Sequence, residues 1–141
     1  MASAGLTPRV RLMAVCDGVR ESKREASVFH LKGVRQDIAA KAFPFVPARL
    51  WLFLVLSSPR PGRYPCCVRV INERTDKAIF YAHVEPSPTF DAAREWQIAR
   101  ARINCVFPEP GRYTFQVHFF QEQGSDLLKG ELPFTLLKEG D

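Results

Sequence analysis

No apolar run in this chain is long enough to cross a bilayer as a helix. The longest, residues 50–56, falls far short of the roughly 20 residues such a helix needs. Residues 1–8 are small and mostly polar, with no apolar stretch ahead of a small-residue cleavage site, so no secretory signal is read there and a cytoplasmic protein is expected. Cysteine is present four times but never as C-x-x-C, and the three histidines form no H-x-x-x-H or H-x-H pair. That removes the local signatures of zinc sites and thioredoxin-like redox centres. Loops carry single acids such as Asp76 and Asp91 instead of the clustered carboxylates that calcium requires. No metal and no cofactor is expected.

Catalytic signatures are equally sparse. Nucleophilic catalysis needs a Ser or Cys beside a base that a third group orients. Cys16-Asp17 puts an acid after a thiol, yet on a strand the two side chains point to opposite faces. A non-enzymatic protein is the expectation. The charge excess is mild, with 20 Lys and Arg against 15 Asp and Glu for a net +5, and the basic residues are dispersed among acids. Nothing resembles the polybasic stripe that binds nucleic acid by counterion release.

What the chain has instead is strand pattern. Its 141 residues suit one domain, and with 46% hydrophobic and 25% charged residues it lies far from the composition of disordered chains. Period-two alternation recurs along most of the length. Residues 9–17 place Val10, Leu12, Ala14 and Cys16 on one face, and residues 27–34 alternate Phe29 and Leu31 against His30 and Lys32. Pro44 and Pro47 then break the pattern, as a connection between sheets would.

Residues 50–56, with Trp51 and Phe53, are apolar throughout, which suits a strand covered on both faces or one lending its outer face to a partner such as a second copy. Tyr64, Cys66, Val68 and Val70 share a face and pair as a hairpin with residues 78–84; a short helical turn is expected at 92–96. Residues 97–107 point Ala101, Ile103, Cys105 and Phe107 inward. The Pro110-Gly111 turn launches Tyr113, Phe115, Val117 and Phe119, and residues 128–137 return as the last strand after a turn at Gly124 and Ser125. Pro133 suggests that this last strand is an edge.

About seven to nine strands joined by two Pro-rich crossings indicate an all-β, immunoglobulin-like Greek-key antiparallel sandwich. The domain is expected to span residues 9–138, with a flexible start at 1–8 and a short tail at 139–141. The adjacent Cys66 and Cys67 cannot easily bridge each other, and a reducing compartment favours free, buried thiols throughout.

Several segments together resemble a family of small, functionally uncharacterised bacterial proteins: Cys16-Asp17-Gly18-Val19-Arg20-Glu21, Phe29-His30-Leu31-Lys32-Gly33-Val34, Phe43-Pro44, Phe107-Pro108 and Pro110-Gly111-Arg112-Tyr113-Thr114-Phe115. The resemblance implies a bacterial, cytoplasmic β-sandwich and supplies no activity, cofactor or catalytic residue.

Two binding regions follow from the residues themselves. Asp17, Arg20 and Glu21 leave the first strand at one end of the sandwich, where loops carry recognition. Arg100 and Arg102 share an outer face, with the aromatic Trp96 nearby, and a cationic face would form if Arg69 or Arg112 joined them. The leading expectation is therefore a protein-interaction or accessory module, with a domain binding an anionic or carbohydrate ligand as the alternative.

Overall fold

The computed structural model describes residues 7–91, 96–121 and 126–140. These described residues contain no helix and form eleven strands. The four-stranded sheet contains β1 (Arg9–Glu21), β2 (Phe29–Arg35), β4 (Trp51–Ser57) and β9 (Trp96–Arg102), in the order β2-β1-β4-β9. The five-stranded sheet contains β3 (Asp37–Ala40), β6 (Cys66–Asn72), β7 (Lys77–His83), β10 (Gly111–Phe119) and β11 (Leu127–Lys138), in the order β3-β11-β10-β6-β7. A small ladder joins β5 (Gly62–Arg63) to β8 (Thr89–Phe90).

The two large sheets face each other across one core, a sandwich-like arrangement and not a barrel. Leu52, Leu54 and Leu56 supply one side, and Val68, Val70, Phe115, Val117 and Phe134 the other; none is more than 1% exposed. Each such side chain contributes roughly 1.5–3 kcal/mol of transfer free energy. Ring contacts knit the layer, with Phe115 and Phe134 centroids 5.4 Å apart and Phe107 and Tyr113 5.0 Å apart.

Alternation between 101 and 107 holds as read, since Ala101, Ile103, Cys105 and Phe107 are buried even though regular pairing of β9 ends at Arg102. The first strand departs from its expected pattern. A β-bulge between Val10 and Leu12 shifts the register against β4, so Met13 and Val15 pair with Leu54 and Leu52 on the inner face. Leu12 is consequently 47% exposed and Ala14 lies outside, opposite Phe53. The extra residue in a bulge reverses every facing beyond it.

Residues 37–40, not read as a strand, form β3 and pair in parallel with Thr135–Lys138 of β11. That corrects the reading of Pro133 as lying on an edge strand: β11 is interior where β3 covers it. Thr135 donates its N–H to Gln36 O, and Pro133, two residues earlier, turns its nitrogen toward the same side just beyond the reach of β3. The missing donor therefore costs no ladder bond. The short helical turn expected at 92–96, the Gly124-Ser125 turn and the start of the chain to residue 6 lie wholly or largely outside the described residues.

Candidate functional site

Asp17, Arg20, Trp96, Arg100 and Arg102, the residues singled out from sequence, all belong to the four-stranded sheet. Arg100 lies opposite Phe53 and Arg102 opposite Trp51, on the outer face. Both guanidinium groups are already engaged. Arg100 donates to Val19 O at 3.1 Å and sits 5.6 Å over the Trp51 ring, while Arg102 donates to Ala48 O at 3.4 Å.

The bond to Val19, together with Phe29 at 6.2 Å from Phe53, requires the far end of the β1–β2 hairpin to curl over this outer face. Cys16, 0% exposed, and Phe53, 6% exposed, are enclosed on that side. Burial pushes the Cys16 thiol above its ordinary value. The apolar β4 is thus an interior strand whose outer face is covered in part by its own chain.

Asp17 accepts two bonds from Arg35, at 2.5 and 3.0 Å, across the hairpin. Gly33, with φ of 64°, faces that carboxylate where a Cβ would collide with it. Arg20 and Trp96 stay exposed. Arg69 and Arg112 lie on the five-stranded sheet, so neither joins Arg100 and Arg102, and the continuous cationic face does not form.

The five-stranded sheet carries the denser constellation on its own outer face. Cys67 of β6 pairs in register with His118 of β10 on one side and His83 of β7 on the other, giving the row His118, Cys67, His83. The next row is Gln116, Arg69, Tyr81. Arg69 Nη2 donates to Asp126 Oδ2 at 2.5 Å and its guanidinium lies 5.5 Å over the Tyr81 ring. Tyr81 meets His83 edge-on at 5.3 Å, and His83 stacks on Phe120 at 5.4 Å. Gln116 donates to Glu131 at 3.2 Å.

This surface is graded from closed to open. Cys67 is fully buried and His118 is 8% exposed, whereas Tyr81 at the sheet edge is 48% exposed. Burial raises the Cys67 thiol, against the pull of the Tyr81 hydroxyl and Arg69 beside it. Burial, reinforced by Arg69, lowers the His118 imidazole and favours its neutral form. His118 Nε2 lies 2.8 Å from Gln116 Oε1, while its Nδ1 and Arg69 Nε are buried without a hydrogen-bond partner among the described residues.

A protonated thiol sealed from solvent is a poor nucleophile. Among the described residues, no group of three His, Cys, Asp or Glu is placed to hold a metal ion. What this face presents is an aromatic ladder, an anchored cation and the edge strand β7. Sequence spacing gave no sign of it, because the rows are set by cross-strand register.

A family model covers residues 11–129. The chain belongs to DUF6941, a family of unknown function. No curated protein is similar to this DUF6941 chain in sequence. Its fold is similar to part of the Pseudomonas fluorescens alkylpurine DNA glycosylase AlkC bound to DNA containing an abasic site analog, with a TM-score of 0.57 and 14% identity. That likeness takes in 92% of the DUF6941 chain and 30% of the glycosylase, so the chain spans under a third of that protein's length. The PmoD soluble domain from Methylocystis sp. aligns at a TM-score of 0.34 and 11% identity, over 91% of this chain and 96% of that one.

Proposed function

We propose that the protein is a non-enzymatic interaction module that receives another polypeptide along β7 and the outer aromatic ladder of the five-stranded sheet. The observation carrying this reading is the contrast between β7 and the other edges. Edge strands invite pairing unless they are short, bulged or guarded by charge, and charge is the strongest contrast among the edges of this fold. The edges β2 and β9 hold Lys32 and Arg35, and Arg100 and Arg102, while β3 has four residues. In β7 a bulge at Ile79 separates Lys77 from the rest of the strand, and residues 80–83 follow without Lys, Arg, Asp or Glu and with Tyr81 and His83 turned outward.

An immunoglobulin-like Greek-key build belongs to the same proposal. It is supported by the chain's passage between sheets and by Tyr113 near the start of β10, whose hydroxyl donates to Glu109 O four residues upstream at 2.6 Å, as in a tyrosine corner. A bacterial cytoplasmic setting is supported by four buried cysteines, all unpaired. The anionic or carbohydrate alternative keeps exposed Arg20 and Trp96, together with the N–H groups of Arg100 and Arg102 that their single bonds to backbone carbonyls leave over. Likeness to a piece of a DNA-bound glycosylase at 14% identity concerns the fold alone and gives a nucleic-acid role little support.

Placing a photo-crosslinking amino acid at Tyr81 tests the proposal in the native cell. Protein adducts from position 81, self or foreign, and few from Lys32 on the guarded β2 edge are expected. Equal yields at both positions would sink it.

A further inference from the structure

We propose a second docking surface, on the opposite sheet and independent of β7. It is the uncovered part of the outer face of β1, β4 and β9, and its occupant is an amphipathic helix with an apolar face and acidic flanks. Cross-strand register sets the chemistry. Leu12, Val55 and Ile98 stand side by side in one row, and Arg9, Ser57 and Trp96 form the row beside it. Leu12 and Trp96 are exposed and Val55 and Ile98 half-buried, whereas Leu54 and Leu56 on the reverse of β4 are sealed in the core. The bulge at Arg11 is what turns Leu12 outward, and Arg11 Nε donates to Ser57 Oγ at 2.7 Å, which holds its guanidinium against this face.

Charge selects the occupant. Residues 9–16, 51–57 and 96–102 contain no Asp or Glu, and their four arginines stand on either side of the apolar row, Arg9 and Arg11 before it and Arg100 and Arg102 beyond it. A neutral or basic partner leaves those cations unanswered, while carboxylates flanking an apolar stripe meet them on both sides.

Shape favours a helix over a lipid surface. The β1–β2 hairpin curls over the adjoining part of the same face, where Arg100 reaches Val19 O and Phe29 lies 6.2 Å from Phe53. It stands above the sheet as a wall that a bilayer plane would meet before it met Leu12 or Ile98. Two uncovered rows about 7 Å apart give room for one helix about 10 Å across, lying over the three strands beside that wall with its apolar stripe on the row.

The test is fluorescence anisotropy of a labelled synthetic helix, with Leu along one face and Glu on its flanks, titrated with the full chain. Saturable binding that weakens with added salt is expected, and the same peptide with Lys in place of Glu should not bind. Leu12→Ser, or Arg9→Glu combined with Arg11→Glu, should weaken binding by about tenfold or more. Arg112→Glu with Lys138→Glu lowers the net charge equally on the five-stranded sheet and should leave binding unchanged. All these positions are exposed, and an unchanged circular dichroism spectrum confirms that each variant is folded. Absence of saturable binding, equal binding of the Lys peptide, or an equal loss in the Arg112 and Lys138 variant overturns the proposal. Tighter binding to phosphatidylserine vesicles than to the Glu peptide overturns the helix as occupant and assigns the face to lipid. Failure of this site leaves the reading of β7 standing, since crosslinking at position 81 decides that one separately.

Discussion

Cys66 and Cys105 lie in the core at 1% exposure each, and burial pushes both thiols up to about 12 from an ordinary 9.0. The sign of the resulting pH dependence follows from proton counting. Between pH 9 and 12 the unfolded chain releases these protons while the folded one keeps them, so alkali favours unfolding. Stability should be level below pH 9 as far as these groups are concerned, then fall by about 1.4 kcal/mol per pH unit for each thiol. Urea denaturation at stepped pH measures it, with Cys66→Ala and Cys105→Ala combined as the control that removes this component of the slope. An unaltered slope in the double variant would mean the thiols do not differ between the two states. His118 acts with the opposite sense: its imidazole is held below the ordinary 6.5 chiefly by burial, so acid favours the unfolded chain, which takes up that proton first.

Elements were legible where burial is simple. The Tyr113, Phe115, Val117, Phe119 face and the hairpin of β6 with β7 follow directly from alternation, because a strand packed on one side leaves a period-two record. The β1 facings were not legible, since the bulge beyond Val10 adds a residue without any turn residue to announce it. Nor was β3, whose four residues satisfy their backbone against a strand nearly a hundred positions away. The row of His118, Cys67 and His83 was hidden for the same reason: no local spacing encodes which residues of separate strands stand side by side. The β1–β2 hairpin offers a direct test at this scale. Gly33 holds a left-handed φ of 64° and a Cβ there would meet the Asp17 side chain. Gly33→Ala should combine backbone strain with displacement of the carboxylate that binds Arg35, costing about 1–3 kcal/mol. Thermal unfolding of this variant should show a lowered midpoint, and an unchanged one would place the strain elsewhere.

At the scale of the whole molecule, the family match and the fold end at different places. The family model stops at residue 129, three residues into β11. Physical closure of the core lies beyond that point, in Phe134 and Leu136, each 1% exposed. The same segment is the partner of β10 along one side and the strand against which β3 pairs, so it joins residues 37–40 to the sheet. A chain cut after Lys129 would expose the Phe115 and Tyr113 faces, open the edge of β10 and leave β3 unpaired. Losing the Phe134 ring alone costs about 3–5 kcal/mol, and a domain is stable by only about 5–15 kcal/mol in total. Adding Leu136 and the ladder bonds removes more than that margin. The truncated protein should therefore unfold without a cooperative transition in urea and bind dyes that report exposed apolar surface. A sharp, two-state transition close to that of the full chain would mean that the first 129 residues close a core without β11.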